Sequence, residues 1–234
     1  MRAPGKSSKL KAQYNINRFR HVITPEQFER LKDSYNEVLI GSLLGDGCIT
    51  KSGRGKYHYR FKQSTIHASY FFYIYSIFEP YLTLGSPSIS CHFDKRYNKL
   101  YESLTLQTKP IYNSKLNIVI LENKFYKKDK NNGRIKVVPE DICTKFSPIS
   151  LAIWIMDDGH FYHNGVYLNT QAFDEEGLNR LMTALQNLNL TSWLSPVSGK
   201  KGQWRIYIPA SNLETLRRIV KPYMVKSMYY KLGL

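Results

Sequence analysis

The sequence predicts an α+β fold in which one order of helices and strands occurs twice. Two apolar helical stretches, at residues 39–47 and 147–159, each end in aspartate followed by glycine. Each is followed by segments with the two-residue alternation typical of strands and by further helical segments. The second series is shorter, so the repeat is visible in the order of elements and not in residue identity.

The second apolar stretch reads SPISLAIWIMDDG. Ser147 is a favourable helix cap, and Pro148 suits the first turn. The body of the helix has hardly any polar face, which predicts a buried helix. Asp157 and Asp158 lie at its C-terminal end, where the helix dipole favours cations. A positive group is therefore expected beside them.

The first apolar stretch belongs to a helix that is predicted to begin at Thr24 and Pro25 and to run to Asp46. If the two apolar helices pack side by side, Asp46 and Asp158 meet at their ends. Two like charges held close are costly unless a divalent cation lies between them, and carboxylate ligands favour a hard ion such as Mg2+. Small residues that would allow close approach are Gly41, Ser42 and Ala152.

Residues 39–47, LIGSLLGDG, and 151–159, LAIWIMDDG, resemble the nine-residue signature of the LAGLIDADG homing endonucleases. The chain is similar to the single-chain, two-motif type found in organellar introns. Ser42, Leu44 and Ile153 depart from the signature at positions of helix packing. The resemblance implies a pseudo-twofold pair of αββαββα half-domains, with the motif helices at their interface and a β-sheet saddle over DNA. It also implies that a monomer cleaves both strands with a divalent metal.

The expected domains combine the half-domains that the resemblance implies with two basic segments of the sequence, and the resemblance also supplies catalytic residues. The expected domains are a basic arm at 1–22, half-domains at 23–126 and 147–234, and a basic linker at 127–146. Two or three Mg2+ ions, replaceable by Mn2+, are expected on Asp46 and Asp158 and on the carbonyls of Gly45 and Asp157. Lys136 and Lys231 are expected near the metals, and Gln63 and Gln171 are expected to orient water. Strand alternation places Gln63 on the aromatic side of its strand and Gln171 on the polar side, so the two glutamines are not expected to be equivalent. For Asp157, a structural role is the alternative to metal binding.

A DNA-reading surface is predicted from strand patterns. Tyr57, Tyr59 and Phe61 alternate with polar residues in a strand over 57–64, and a hairpin over 85–108 alternates in the same way. Ile89, Cys91, Phe93, Leu104 and Leu106 are predicted to face inward. A ribbon with hydroxyl, amide and basic groups on one face fits the major groove, although a solvated face is the alternative. The predicted DNA-facing residues of the first half are His58, Arg60, Lys62, Ser88, Ser90, His92, Tyr101, Ser103, Thr105 and Gln107.

Helices are predicted over 68–82 and 111–125 in the first half and over 175–188 and 211–223 in the second. Second-half strands are predicted over 166–170, 191–197 and 203–209. Their predicted DNA-facing residues are Tyr167, Asn169, Lys200, Lys201, Arg205 and Tyr207. His160 and His163 are interpreted as DNA-contacting or surface groups, because no cysteine that could complete a zinc site lies nearby.

Composition limits the function classes independently. The chain has 234 residues, a net charge of +16 and a pI near 9.7, so an anionic partner is expected. Double-stranded DNA is the first choice, and charge alone leaves a ribosomal or other simple basic binder open. The three cysteines lack metal-ligand spacing, and no stretch is apolar enough for a membrane span or a signal peptide.

Two further classes remain open from sequence. An RNA maturase would keep this fold and bind intron RNA, and a non-catalytic relative would bind DNA without cleaving it. Enrichment in Lys, Asn, Ile and Tyr is typical of an AT-rich gene and favours a mitochondrion or plastid. The acid-free N-terminal residues suit a disordered tail, an arm along phosphates or an organellar transit peptide.

Overall fold

The computed structural model describes residues 22–53, 55–110, 116, 118–129, 131 and 133–234. The predicted basic arm lies outside this part of the chain except for residue 22. None of the helices in the described residues is both long and apolar enough to cross a membrane.

The first half contains four helices and four strands in the described residues. They are α1 (Pro25–Leu31), α2 (Tyr35–Leu44), β1 (Cys48–Lys51), β2 (Tyr57–Ser64), α3 (Ala68–Phe78), β3 (Ser88–Asp94), β4 (Lys99–Gln107) and α4 (Ile118–Phe125). The first part of the helix predicted over 111–125 lies outside the described residues. Helix α3 ends before the predicted residue 82, because Pro80 belongs to a short 3-10 turn, Glu79–Tyr81.

The long helix predicted from Thr24 to Asp46 is wrong, because the structure divides it into α1 and α2. Thr24 caps α1 through a capping box with Gln27. Near the break, the Ser34 hydroxyl donates to the carbonyl of Arg30 at 3.3 Å. Side chains such as serine compete for backbone groups and favour helix ends over helix interiors.

The first sheet has the strand order β1-β2-β4-β3, and every pairing is antiparallel. Tyr59, Phe61, Leu104 and Leu106 are fully buried on its inner face, as predicted. The inward placement of Cys91 and Phe93 is wrong. Both are exposed, because the outer end of the β3–β4 hairpin extends beyond the core and leaves both faces accessible.

The segment predicted as a linker contains ordered elements. Strand β5 (Tyr126–Lys128) pairs with β6 (Arg134–Lys136), and α5 (Ile142–Lys145) follows. Lysine and arginine side chains dominate this hairpin. Its backbone is nevertheless held against the preceding helix, because the Val137 amide donates a hydrogen bond to the Phe125 carbonyl at 2.7 Å. The hairpin therefore gives residue 136 a fixed position.

The second half repeats the topology of the first. It contains α6 (Pro148–Asp158), β7 (Gly159–Tyr162), β8 (Gly165–Leu168), α7 (Glu175–Asn187), β9 (Trp193–Pro196), β10 (Trp204–Ile208) and α8 (Leu213–Val220). Its sheet order, β7-β8-β10-β9, is the order of the first sheet with the strands renumbered. The predicted repeat of helices and strands is thus confirmed. Strand β7 was not predicted. The helix predicted over 211–223 is shorter in the structure, where α8 lies between two 3-10 turns.

The two motif helices, α2 and α6, pack directly against each other. A Cβ added at Gly41 would lie 2.3 Å from the carbonyl oxygen of Ser150, and one added at Gly45 would lie 2.4 Å from the Asp157 Cβ. The glycines therefore permit the close approach. Ser42 does not serve this contact, because its hydroxyl forms a 2.7 Å hydrogen bond with Tyr59 beneath the sheet.

Candidate active site and nucleic-acid interface

The ends of the motif helices are joined through the carboxylate of Asp157. The backbone N–H of Asp46 donates to Asp157 Oδ2 at 3.1 Å, and the Tyr70 hydroxyl donates to Asp157 Oδ1 at 2.6 Å. Both oxygens are thus used inside the protein, and the side chain is buried. This geometry favours the structural alternative for Asp157. Tyr70, on α3, carried no sequence signal beyond that of a core aromatic residue.

A lysine is bound to the carbonyl oxygens at the end of each motif. Lys136 Nζ donates to the carbonyls of Gly45 at 3.0 Å and Gly47 at 2.9 Å. Lys231 Nζ donates to the carbonyls of Met156 at 2.6 Å and Asp157 at 2.8 Å. Helix C-termini carry unpaired carbonyls and partial negative charge, which these ammonium groups offset. A positive group was predicted beside the aspartates at the end of the second motif helix, and the ammonium group of Lys231 lies there.

The lysine ammonium groups also act on the acids electrostatically. Burial lowers the pKa of Lys231, while Asp157, Asp158 and Asp46 act in the opposite direction. Burial likewise lowers the pKa of Lys136. Both lysines lie within electrostatic range of Asp46 and Asp158. Each lysine is therefore bound to the carbonyls of one motif while its charge acts on the aspartates of both motifs.

Asp46 and Asp158 are the two acids that remain accessible at this junction. Asp46 is exposed and Asp158 is half-buried. Desolvation by the surrounding protein, followed by the charge of Asp46, raises the pKa of Asp158 to about 6. Desolvation also raises the pKa of Asp46. The two carboxylates therefore share one electrostatic environment in which their negative charges repel.

The two glutamines lie in different surroundings. Gln63 is buried on the inner face of β2, and its Nε2 donates to Asp46 Oδ2 at 2.5 Å. Gln171 lies beyond the end of β8, where its Nε2 donates to Asn169 Oδ1 at 3.4 Å. The placement of Gln63 on the aromatic side of its strand agrees with the alternation, whereas Gln171 lies outside its strand, where alternation does not apply. Of the two glutamines, only Gln63 bonds to a motif aspartate in the described structure.

His67 is a site neighbour that sequence reasoning did not single out. It ends the 3-10 turn Thr65–His67 that follows β2. Burial, and then the charge of Lys231, lowers its pKa, while the charge of Asp46 raises it. Its position next to the first aspartate depends on the fold, so no sequence spacing could have indicated it.

The donor atoms fit a magnesium ion through two carboxylates. The described residues contain no group of three or more His, Cys, Asp or Glu that could hold a metal. The Gly45 and Asp157 carbonyls, expected as metal ligands, accept hydrogen bonds from lysine ammonium groups instead. Mg2+ is commonly bound through one or two carboxylates, with water and substrate phosphate oxygens completing its shell. Asp46 and Asp158 suffice for that arrangement.

The predicted DNA-facing residues of the first half share one face of the first sheet. The register pairs Arg60 with Gln107, Lys62 with Thr105, and His92 with Tyr101, so these side chains point the same way. Ser88, Ser90 and Ser103 belong to the same rows. Thr105 is only 7% exposed because its neighbours on this face cover it. The His58 ring contacts the Thr108 carbonyl at 2.9 Å, so it is partly engaged within the protein.

The second sheet presents aromatic rings on the corresponding face. Tyr207 pairs with Tyr167 on one side and with Trp193 on the other. Arg205 lies on the same face, with its guanidinium 4.4 Å from the centre of the Tyr167 ring. Lys200 and Lys201 are exposed in the β9–β10 turn. Trp193 was missing from the predicted surface, since a lone tryptophan in a short strand is more often a core residue.

Comparison with known proteins identifies the family. Residues 36–216 match the LAGLIDADG DNA endonuclease family. This match includes both Asp-Gly motifs and ends before Lys231. The chain belongs to this family.

LAGLIDADG relatives include nucleases and a maturase. The chain is 30% identical over 213 residues to DNA endonuclease I-ChuI of Chlamydomonas applanata, covering 87% of this chain and 96% of that protein. It is 32% identical over 200 residues to cytochrome b mRNA maturase bI2 of Saccharomyces cerevisiae. That alignment covers 84% of this chain but only 46% of the maturase.

A solved LAGLIDADG structure has the same fold. The homing endonuclease I-WcaI, bound to its DNA recognition sequence, superposes with a TM-score of 0.69 at 24% identity. The superposition covers 98% of this chain and 95% of that chain. The α+β fold predicted from the two motifs is thus confirmed.

Proposed function

We propose that this chain is a site-specific homing endonuclease that binds a long double-stranded DNA target and cleaves both strands with divalent metal. The observation that carries the proposal is the packing of α2 on α6. That packing brings Asp46 and Asp158, one from each half, to the place where the two motif helices end. Membership in the LAGLIDADG DNA endonuclease family supports the same activity.

The protein's own residues would perform distinct tasks in this reaction. Asp46 and Asp158 would hold two or three Mg2+ ions, or Mn2+ in their place. A divalent ion held there would supply Lewis-acid polarisation of a phosphoryl oxygen and would lower the pKa of water. Lys136 and Lys231 fix the carbonyl ends of the motif helices, which sets where the acids project. Gln63 holds the carboxylate of Asp46 in place.

The sheets would hold the DNA. Hydroxyl, amide and basic groups on the outer face of the first sheet can hydrogen-bond to base edges and phosphates. The net charge of +16 favours binding to the duplex backbone. Because both acids come from one chain, a monomer would make the double-strand break.

Selection from a randomised duplex library for Mg2+-dependent cleavage tests this proposal. The wild type should cut one long site, whereas Asp46→Asn and Asp158→Asn should fail to make a double-strand break. Glu29→Gln is a matched control, since Glu29 is exposed on α1 and pairs with Lys32. Binding without cleavage in either Mg2+ or Mn2+ would reject the nuclease.

An RNA maturase is the second candidate function. It is supported by the similarity to the yeast protein named cytochrome b mRNA maturase. Competition between duplex target DNA and folded intron RNA distinguishes the two functions. The salt dependence of binding does not, because it accompanies binding to any polyanion.

An organellar location is part of the endonuclease proposal, and relatives named as intron-encoded endonucleases support it.

A further inference from the structure

Lys231 belongs to an unusually long 3-10 helix. This helix covers Lys226–Leu232, seven residues, and is called the Lys231 turn below. Runs of 3-10 structure beyond three or four residues are uncommon, because their hydrogen bonds have poorer geometry than those of an α-helix. The turn therefore needs support from other parts of the molecule to hold Lys231 in place.

Arg217 on α8 supports the end of the Lys231 turn. Its Nε and Nη2 atoms donate to the Leu232 carbonyl at 3.1 and 2.8 Å, and Nη2 also donates to the Gly233 carbonyl at 3.3 Å. Carbonyl groups at the end of a helix lack partners inside it, and a positive charge is favoured beside them. The forked guanidinium group satisfies both carbonyls with one side chain.

Packing seats the same end of the turn against the second motif. Leu232 is fully buried, and Gly233 has a φ of 70°. A Cβ added at Gly233 would lie 2.4 Å from the Phe161 ring. Phe161 belongs to β7, which directly follows the second motif helix. The turn thus rests on the strand beside the motif, and Arg217 links it to α8.

The contacts of Arg217 lead to the candidate active site through one residue. Lys231 directly precedes the two residues whose carbonyls Arg217 holds. The Lys231 Nζ donates to the carbonyls of Met156 and Asp157 at 2.6 and 2.8 Å, and Lys231 is only 8% exposed. Its charge lowers the pKa of Asp158 against the effect of burial. The route from Arg217 to the motif acids therefore passes through Lys231.

Lys136, the other lysine of the site, is supported in a different way. It lies in β6, in register with Tyr126 of β5. The Tyr126 hydroxyl accepts a hydrogen bond from the Ile49 amide at 3.0 Å, and the Arg134 guanidinium lies 3.4 Å from the centre of the Tyr126 ring. None of these contacts involves the Lys231 turn. A change at Arg217 should therefore displace one lysine and leave the other in place.

We propose that Arg217 is a positioning residue for Lys231. By holding the end of the turn, it keeps the Lys231 ammonium group on the carbonyls of the second motif and close to the two acids. Without the guanidinium group, the turn still packs through Leu232, but the ammonium group spends less time on its carbonyl partners. The catalytic consequence rests on the proposed endonuclease function, whereas the position of the ammonium group does not.

Amine labelling of the whole chain measures this position without any cleavage. Reductive methylation in EDTA, without DNA, gives a rate for each lysine by peptide mass spectrometry. Lys231 should react slowly in the wild type, since it is buried and bonded to two carbonyls. Arg217→Met should raise the rate at Lys231 by about tenfold, because hydrogen bonds from a charged donor are lost. The rate at Lys136 should stay unchanged.

Two further variants make the labelling decisive. Arg218→Met is the matched control, because it removes the same charge from the neighbouring, exposed position of α8, and it should leave both labelling rates unchanged. Arg217→Lys keeps the charge but replaces the fork with a single ammonium group, so it should restore part of the protection. Thermal unfolding checks that each variant is folded. If Arg217→Met is unfolded, Arg217→Lys carries the test, with Lys231 reacting faster than in the wild type.

Single-turnover cleavage of the target duplex tests the catalytic consequence. Arg217→Met should slow cleavage by roughly 10- to 100-fold at saturating protein, since a misplacement of about 1 Å can cost that much. Its affinity for the duplex in EDTA should equal that of Arg218→Met. The double variant with Lys231→Met should cleave at the rate of Lys231→Met alone, because a residue that acts through this lysine has no further effect once the lysine is gone.

The outcomes separate this inference from the endonuclease proposal. An unchanged labelling rate at Lys231, or an equal rise at Lys136 in a folded variant, would overturn Arg217 as a positioning residue. Additive losses of cleavage in the double variant would contradict an action through Lys231. A wild type that does not cut would reject the nuclease, and the labelling rates would still decide what holds Lys231.

Discussion

Asp157 and Asp158 are sequence neighbours with opposite surroundings. Asp157 accepts hydrogen bonds from the Asp46 amide and the Tyr70 hydroxyl, whereas Asp158 gains only the charges of nearby lysines. Burial and the charge of Asp46 raise the pKa of both carboxyl groups, so only the hydrogen bonds distinguish Asp157. The first carboxyl group joins the motif helices, and the second is left for a substrate or a metal. Substitutions at these two positions should therefore change stability in opposite directions.

Asp158→Asn is expected to raise the unfolding temperature of the metal-free protein by a few degrees, because it removes a like charge from beside Asp46. Mg2+ should raise the unfolding temperature of the wild type and leave that of the variant almost unchanged. Differential scanning calorimetry with EDTA and with Mg2+ measures both effects. A lower unfolding temperature for the metal-free variant would contradict the repulsion.

Asp157→Asn is expected to destabilise the protein by roughly 1–3 kcal/mol, since a buried acceptor is replaced by a group that also carries donors. Denaturant unfolding in EDTA gives the free energy of unfolding. Asp158→Asn is its matched comparison, one residue away. Equal stability of the two variants would show that the contacts of Asp157 do not join the helices.

The two glutamines should affect the two DNA strands unequally. Gln63 bonds to Asp46, so Gln63→Leu is expected to slow cleavage of one strand and to cause nicked DNA to accumulate. Gln171 bonds to Asn169, so Gln171→Leu should alter cleavage much less. Duplexes labelled on one strand at a time report each rate. Equal slowing of both strands by both variants would show that Gln171 also reaches a motif acid during the reaction.

At the scale of the elements, the contact between α2 and α6 depends on Gly41. A methyl group at this position would meet the Ser150 carbonyl, which belongs to the backbone and cannot rotate away. Gly41→Ala is expected to reduce the free energy of unfolding by about 1–3 kcal/mol through overpacking. Gly53→Ala is the control, because a Cβ there has no atom within 4 Å. Urea unfolding of both variants measures the difference, and similar stabilities would contradict the tight packing.

Much of this element-scale architecture could be predicted from sequence. The apolar bodies of the motif helices indicated burial, and the alternation of Tyr59 and Phe61 with charged residues fixed the inner face of β2. The β3–β4 hairpin could not be assigned in the same way. Phe93 alternates like a core residue, but its strand extends beyond the core, and only the tertiary structure shows where the core ends.

The site was predictable only to the extent that its residues follow a motif. Asp46 and Asp158 were indicated by the helix ends, and the need for cations there was indicated by the helix dipole. Which carbonyls the lysines would contact was beyond sequence reasoning, because Lys136 and Lys231 are far from their partners along the chain. His67 was missed for the same reason, whereas Trp193 was missed because a lone tryptophan in a short strand is more often a core residue.

The whole molecule carries a large positive charge, and its effect on binding can be measured at single residues. Lys62 is exposed on the outer face of the first sheet. If it contacts a phosphate, Lys62→Met should lower the slope of log affinity for target duplex against log salt by about one. Lys32→Met, at the residue that follows α1, removes the same charge and should leave the slope unchanged. Identical slopes for all three proteins would exclude a phosphate contact at Lys62.

Both sheets share one strand order, yet the first presents hydroxyl and amide groups and the second presents rings. A symmetric dimer would offer the same surface twice and would select a palindrome. In this chain, turning the DNA end for end would place each half of the site against the wrong surface. The proposed endonuclease would therefore recognise its target in one direction only, and the two sides of the cut would be free to differ in sequence.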